Sequence, residues 1–132
     1  MSRDTSEVVQ AGFDTWNAND MDAYRELLDP EVSWRPLEGW PEPGPYVGRD
    51  AVMRQLEQLR ETWDGDVLEP IDDFIVAGDR VLVRVNWRGA GGHGPELNLE
   101  LTGVFTVRDG RICGLEFFQD HAEALEVAGL EE

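Results

Sequence analysis

Apolar residues in the first third of the chain recur at helical spacing. Val9, Phe13 and Trp16 mark one face of a helix running from Asp4 to Ala18. Asn19 and Asp20 then supply a stop and a new N-cap. Met21, Tyr24, Leu27 and Leu28 share a face of a second helix, Met21 to Leu28, which Pro30 closes. Val32-Ser33-Trp34-Arg35 reads as a first strand. The stretch from Gly39 to Tyr46 holds three prolines and two glycines, which predicts no regular structure. After Gly48 a third helix begins: Val52, Leu56, Leu59 and Trp63 fall at i, i+4, i+7 and i+11, and Gly65 ends it.

From Val67 onward the apolar period changes to two. Val67 to Ala77 predicts one long strand region, bent near Pro70, and Gly78-Asp79 turns it into a strand from Val81 to Arg88. Gly89 to Pro95 is a loose connection. Leu97 to Val107 follows, with Leu97, Leu99, Leu101, Phe105 and Val107 alternating with polar positions. Asp109-Gly110 is a hairpin turn into a last strand from Ile112 to Phe118. His121 to Ala128 reads as a closing helix, with Gly129 at its C′ position. Helices first and strands afterwards define an α+β fold, and 132 residues without a linker suit one domain, 1–132.

Charge removes whole classes of partner. The net charge is −17, from 28 acidic against 11 basic residues. Such a surface repels nucleic-acid phosphates and anionic membranes. Every basic residue is arginine, a mark of codon usage or of adaptation to salt, and neither bears on function. No apolar run reaches the ~20 residues of a membrane span, and the start MSRDTSEVVQ lacks the basic and apolar segments of a secretory signal. A cytoplasmic location is expected. Cys113 is the lone cysteine, so no intrachain disulfide forms, and its apolar surroundings in sequence suit a buried thiol. Two histidines without HExxH or CxxC spacing predict no metal site, and nothing in the sequence implies a cofactor.

Five segments, in this order, resemble SnoaL-like domains of the nuclear transport factor 2-like superfamily. They are Leu28-Asp29-Pro30-Glu31-Val32 before the first strand and Tyr46-Val47-Gly48-Arg49-Asp50-Ala51-Val52 opening the third helix. Gly78-Asp79-Arg80-Val81-Leu82-Val83 and Phe105-Thr106-Val107-Arg108-Asp109-Gly110-Arg111-Ile112 mark two hairpins. The ending Ala124-Leu125-Glu126-Val127-Ala128-Gly129-Leu130 is the last. The resemblance covers nearly the whole chain. It implies a cone: three N-terminal helices packed on the concave face of a curved antiparallel sheet, a short C-terminal helix, an internal pocket, and homodimerisation through the outer sheet face. The fold hosts both enzymes and binders, so function rests on the site.

Two catalytic patterns of the superfamily are incomplete here. Where ketosteroid isomerases carry a general-base Asp and an acid in the penultimate strand, this chain aligns Arg35 and Gly103. Limonene-epoxide hydrolases use an Arg and an Asp two residues apart plus a second Asp. Arg84-Val85-Asn86 resembles the first pair with Asn for Asp, and the second Asp falls near Phe117. An amide cannot exchange the proton that the reaction needs.

Candidate chemistry is therefore sparse. Val81, Val83, Val85 and Trp87 alternate with Leu82, Arg84, Asn86 and Arg88. Arg84 and Asn86 either line an outer or dimer face or enter the pocket and orient a carboxylate or carbonyl. Asp120 and His121 form an acid and base pair or simply cap and begin the last helix. His93 sits in a glycine-rich loop as a solvated side chain. Trp16, Tyr24, Trp34, Trp40, Tyr46, Met53, Phe105 and Phe117 are expected to line the pocket, with Trp40 and Tyr46 at its mouth. The expected occupant is a small apolar or carbonyl-bearing molecule. Two readings stay open: a non-catalytic binder, or an isomerase, cyclase or epoxide hydrolase doing acid/base chemistry on a small carbonyl or cyclic substrate. An ionisable group at the closed end of the cavity separates them.

Overall fold

The computed structural model describes residues 5–35, 45–91 and 97–127, the side chains of 59–66, 90, 91 and 97 excepted. The elements in order are α1 (Thr5–Asn17), α2 (Met21–Glu26), β1 (Leu28–Arg35), β2 (Tyr46–Val47), α3 (Arg49–Thr62), β3 (Trp63–Pro70), β4 (Ile75–Ala77), β5 (Arg80–Gly91), β6 (Leu97–Arg108), β7 (Arg111–Phe118) and α4 (His121–Val127). One sheet runs β2-β1-β7-β6-β5-β3, with β4 also paired to β5.

The fold is α+β, as expected, with three departures. The N-terminal part holds one main helix, a single short turn of helix in α2, and then α3 only after two strands. The second helix stops at Glu26, with Leu27 as its C-cap. Leu28 is already sheet: it pairs with Ile112, it is fully buried, and the Ile112 N–H donates to the Leu27 carbonyl at 2.7 Å. Burial in the sheet outweighs the helical spacing of Leu27 and Leu28. The sheet is not wholly antiparallel either, because β1 and β7 run parallel. They are joined only through the rest of the chain, so no hairpin dictates their direction. Third, Trp63, expected on the stripe of the third helix, begins β3 opposite Gly91. The long strand region breaks directly after Pro70, giving β3 and the short β4. Gly129 lies outside the described residues, as do His93 and Trp40.

Period two in β5 separates two environments. Val81, Val83, Val85 and Trp87 face inward and join Val8, Val9, Phe13 and Trp16 of α1 and Val52, Met53 and Leu56 of α3 in one core. Leu82 points outward, where Val104 and Phe118 join it and α4 covers all three with Ala124 and Leu125. The free edge of β3 is closed by a side chain. Asn17 at the end of α1 donates from Nδ2 to the Leu68 carbonyl and accepts the Leu68 N–H at Oδ1, both at 2.9 Å. An amide side chain thus takes the place of a neighbouring strand. The Asp109-Gly110 turn has positive φ at both residues, 53° and 75°, which is the backbone that a two-residue hairpin demands.

Candidate functional site

The concave side of the sheet is filled mainly by the chain's own rings. Phe105 of β6 meets Phe13 of α1 edge-on at 5.5 Å between centroids, and Phe117 of β7 edge-on at 6.1 Å. Trp16 and Tyr24 meet edge to face at 5.6 Å. Trp34 and Tyr46 stack at 5.4 Å between β1 and β2. Among the described residues a cavity of about 20 Å³ lies between α1, α2 and the sheet, lined by Val9, Gly12, Phe13, Tyr24, Leu68, Phe105, Ile112 and Phe117. That is room for one water.

Gly103 lets two of the rings that line this cavity pack close against β6. It stands in β6 opposite Phe117 and on the inward side with Leu101 and Phe105. A Cβ there would lie 2.8 Å from Phe105 Cε2 and 3.2 Å from Phe117 Cε1, so both rings occupy space that any other residue would claim. The position aligned with the acid of the ketosteroid isomerases is thus filled by neighbouring phenyl edges.

Tyr24 alone among these lining residues carries a polar side chain. It is 7% exposed, and its hydroxyl makes no hydrogen bond among the described residues. Burial pushes its phenol above the usual value, so the group stays protonated and offers an O–H.

The expected pocket residues take different places. Trp16, Tyr24, Trp34, Met53 and Phe105 are buried in the core, and Tyr46 and Phe117 pack against it half-buried. Of these, Tyr24, Phe105 and Phe117 reach the cavity. Sequence reasoning missed Val9, Gly12, Phe13, Leu68 and Ile112, whose apolar character gives no sign of which end of the core they close.

The charged candidates lie elsewhere, and the pocket-facing reading of Arg84 and Asn86 does not hold. Both have the parity of Leu82, opposite to the core-facing valines. Arg84 pairs on the outer face with Glu100 and, at 2.9 Å, with Asp72; Arg88 pairs with Glu69. The hydrogen bond to Glu100 raises the Arg84 pKa further. Asp120 accepts the Ala122 N–H at 2.9 Å, the bond of a helix cap. His121 Nδ1 lies 2.9 Å from the hydroxyl of Thr102, which is buried beneath α4 beside Arg84 in the β5–β6 register. Arg84, Asn86, Asp120 and His121 therefore sit on the convex side, with the sheet between them and the cavity. Cys113, expected to be buried, is half-buried, and that partial burial raises its thiol above its ordinary value, which weakens it as a nucleophile. Among the described residues no helix is long and apolar enough to cross a membrane.

Comparison with known proteins agrees with this architecture. The model of the SnoaL-like domain matches residues 9–115, and the chain belongs to that family. A protein from Sinorhizobium meliloti provisionally assigned as a polyketide cyclase is 30% identical, with a TM-score of 0.70 over 84% of this chain and 93% of that one. A protein of cystatin-like fold and unknown function from Xanthomonas campestris superposes with a TM-score of 0.80 at 19% identity, over 98% of this chain and 100% of that one. TerC, co-crystallised with polyporic acid, gives 0.76 at 23% identity, over 95% and 98% of the two chains. No curated protein matches the chain.

Proposed function

We propose that this SnoaL-like protein binds a small, mainly apolar molecule inside its cone, with the Tyr24 hydroxyl as hydrogen-bond donor to a single acceptor, such as a carbonyl. The observation that carries the reading is the composition of the cavity wall: seven residues without a polar side chain and one protonated phenol with no hydrogen-bond partner among the described residues. In so apolar a wall the phenol is the one polar side chain that can bond a ligand acceptor, and a neutral hydrogen bond of that kind adds a modest gain in affinity. The cavity of about 20 Å³ does not hold such a ligand unless rings move. Phe117, half-buried on the last strand, is the ring with the most freedom to turn outward. The co-crystal of TerC with polyporic acid supports a ligand-binding role on this fold.

Acetophenone and ethylbenzene form the test pair, because they differ in the carbonyl. The wild-type chain should prefer acetophenone, and Tyr24→Phe should lose that preference, a change of roughly 2- to 10-fold in affinity for one neutral hydrogen bond. Isothermal titration reads it. Equal preference in both proteins would refute the role of Tyr24. The second reading, an acid/base enzyme of the cyclase type, is favoured by the likeness to the Sinorhizobium protein. It requires a titratable group where the described wall offers only the phenol, so a carbonyl substrate turned over with loss of activity in Tyr24→Phe would establish it.

The proposal includes a homodimer across the outer face of β5 and β6. In a chain of net charge −17, the row of Arg84 and Arg88 with Asp72, Glu69 and Glu100 is close to balanced, so it repels its own copy least. Sedimentation equilibrium should find a dimer that Arg84→Glu dissociates; a monomer in the wild type would refute this part.

A further inference from the structure

A second concavity lies outside the cone, where α2 and the start of α3 meet. It is an open groove of about 460 Å³ whose wall includes Arg25, Arg49, Asp50 and Arg54. Three of the chain's 11 arginines line it, against one of its 28 acidic residues, so the local charge is opposite to that of the molecule. The volume falls in the range of small-molecule sites.

The arginines come from two elements. Arg25 reaches across from α2 and donates to Asp50 of α3, which fixes its guanidinium at the groove wall. That hydrogen bond, then the nearby charges of Arg25, Arg49 and Arg54, hold the Asp50 carboxyl below its usual range. Asp50 neutralises one of the three guanidinium groups. Arg49 and Arg54 have no ion pair among the described residues and leave the groove with an excess of two positive charges.

The backbone contributes in the same direction. The Gly48 carbonyl accepts the Val52 N–H at 3.0 Å and starts the helix, but glycine has no side chain with which to cap it. Among the described residues no side chain accepts from the N–H groups of Asp50 or Ala51, and both residues stand on the groove wall.

From this convergence we propose that the groove binds a small oxyanion, the phosphate or carboxylate of a soluble molecule, at a site separate from the cone. Planar guanidinium forks suit such oxygens, and the open surroundings make the affinity modest and sensitive to salt.

The test is a titration of the ¹⁵N-labelled protein with inorganic phosphate and, separately, succinate, at constant ionic strength. Saturable shifts of the Asp50 and Ala51 amides, with a dissociation constant of about 1 mM or below, are expected for at least one anion. The tighter of the two identifies the group that the site takes. Arg49→Gln with Arg54→Gln should weaken binding about 10-fold or more, while Arg111→Gln, outside the groove wall, leaves it unchanged. Amides of the sheet report in the same spectra that each variant is folded. The absence of saturable shifts, retained affinity in the double variant, or an equal loss in Arg111→Gln would overturn the proposal.

Discussion

Phe105→Ala should cost the protein about 3–5 kcal/mol and turn the cone from a packed core into an open cavity. Phe105 is 6% exposed, touches Phe13 and Phe117 edge-on, and walls the cavity of about 20 Å³. Deleting its ring removes both contacts and merges its volume with that cavity. Two consequences follow together. Urea unfolding should show the loss of stability, and ethylbenzene should bind more tightly than to the wild type, because an apolar void without water is filled at no cost in broken hydrogen bonds. A variant that loses stability without gaining affinity would mean that the site collapses and that Phe105 does not bound a usable pocket.

The second large effect comes from adding atoms. Gly103→Val should destabilise by about 1–3 kcal/mol through overpacking. Its Cβ alone would stand 2.8 and 3.0 Å from two carbons of the Phe105 ring, before the two methyl groups are counted. By displacing the Phe105 and Phe117 rings, which line the cavity, the same side chain should also weaken acetophenone binding. The two substitutions are coupled: with Phe105 reduced to alanine, valine at 103 gains the room it lacks. The double variant should be more stable than the sum of the single losses predicts. Strict additivity in urea melts would show that the clash at Gly103 is relieved elsewhere.

These residues show what the sequence could and could not disclose. Period two along β5 and β6 and the Asp109-Gly110 turn are local signals, and the sheet follows them closely. The boundary at Leu28 is not local. Its helical spacing is overruled by a strand more than eighty positions later, where it pairs with Ile112. The direction of Arg84 and Asn86 was equally hidden. Leu82 shares their parity and is buried, because α4 covers that end of the outer face. Each side of the strand therefore has apolar members, and alternation alone cannot name the core. Gly103 is legible only as a missing acid. That its absence of side chain admits two rings depends on Phe105 two positions on and Phe117 across the strand pair. Tyr24 reads in sequence as one aromatic among many, and only its place in an otherwise apolar cavity wall sets it apart.

The central claim is that the ligand enters the cone. Intermolecular nuclear Overhauser effects from acetophenone to the ¹³C-labelled protein test it most directly. Contacts are expected from the probe to Phe105, Phe117 and Ile112, with the methyl ketone nearest Tyr24. Contacts confined to the convex face, around Arg84 and His121, or no contacts with the protein under saturating probe, would contradict it.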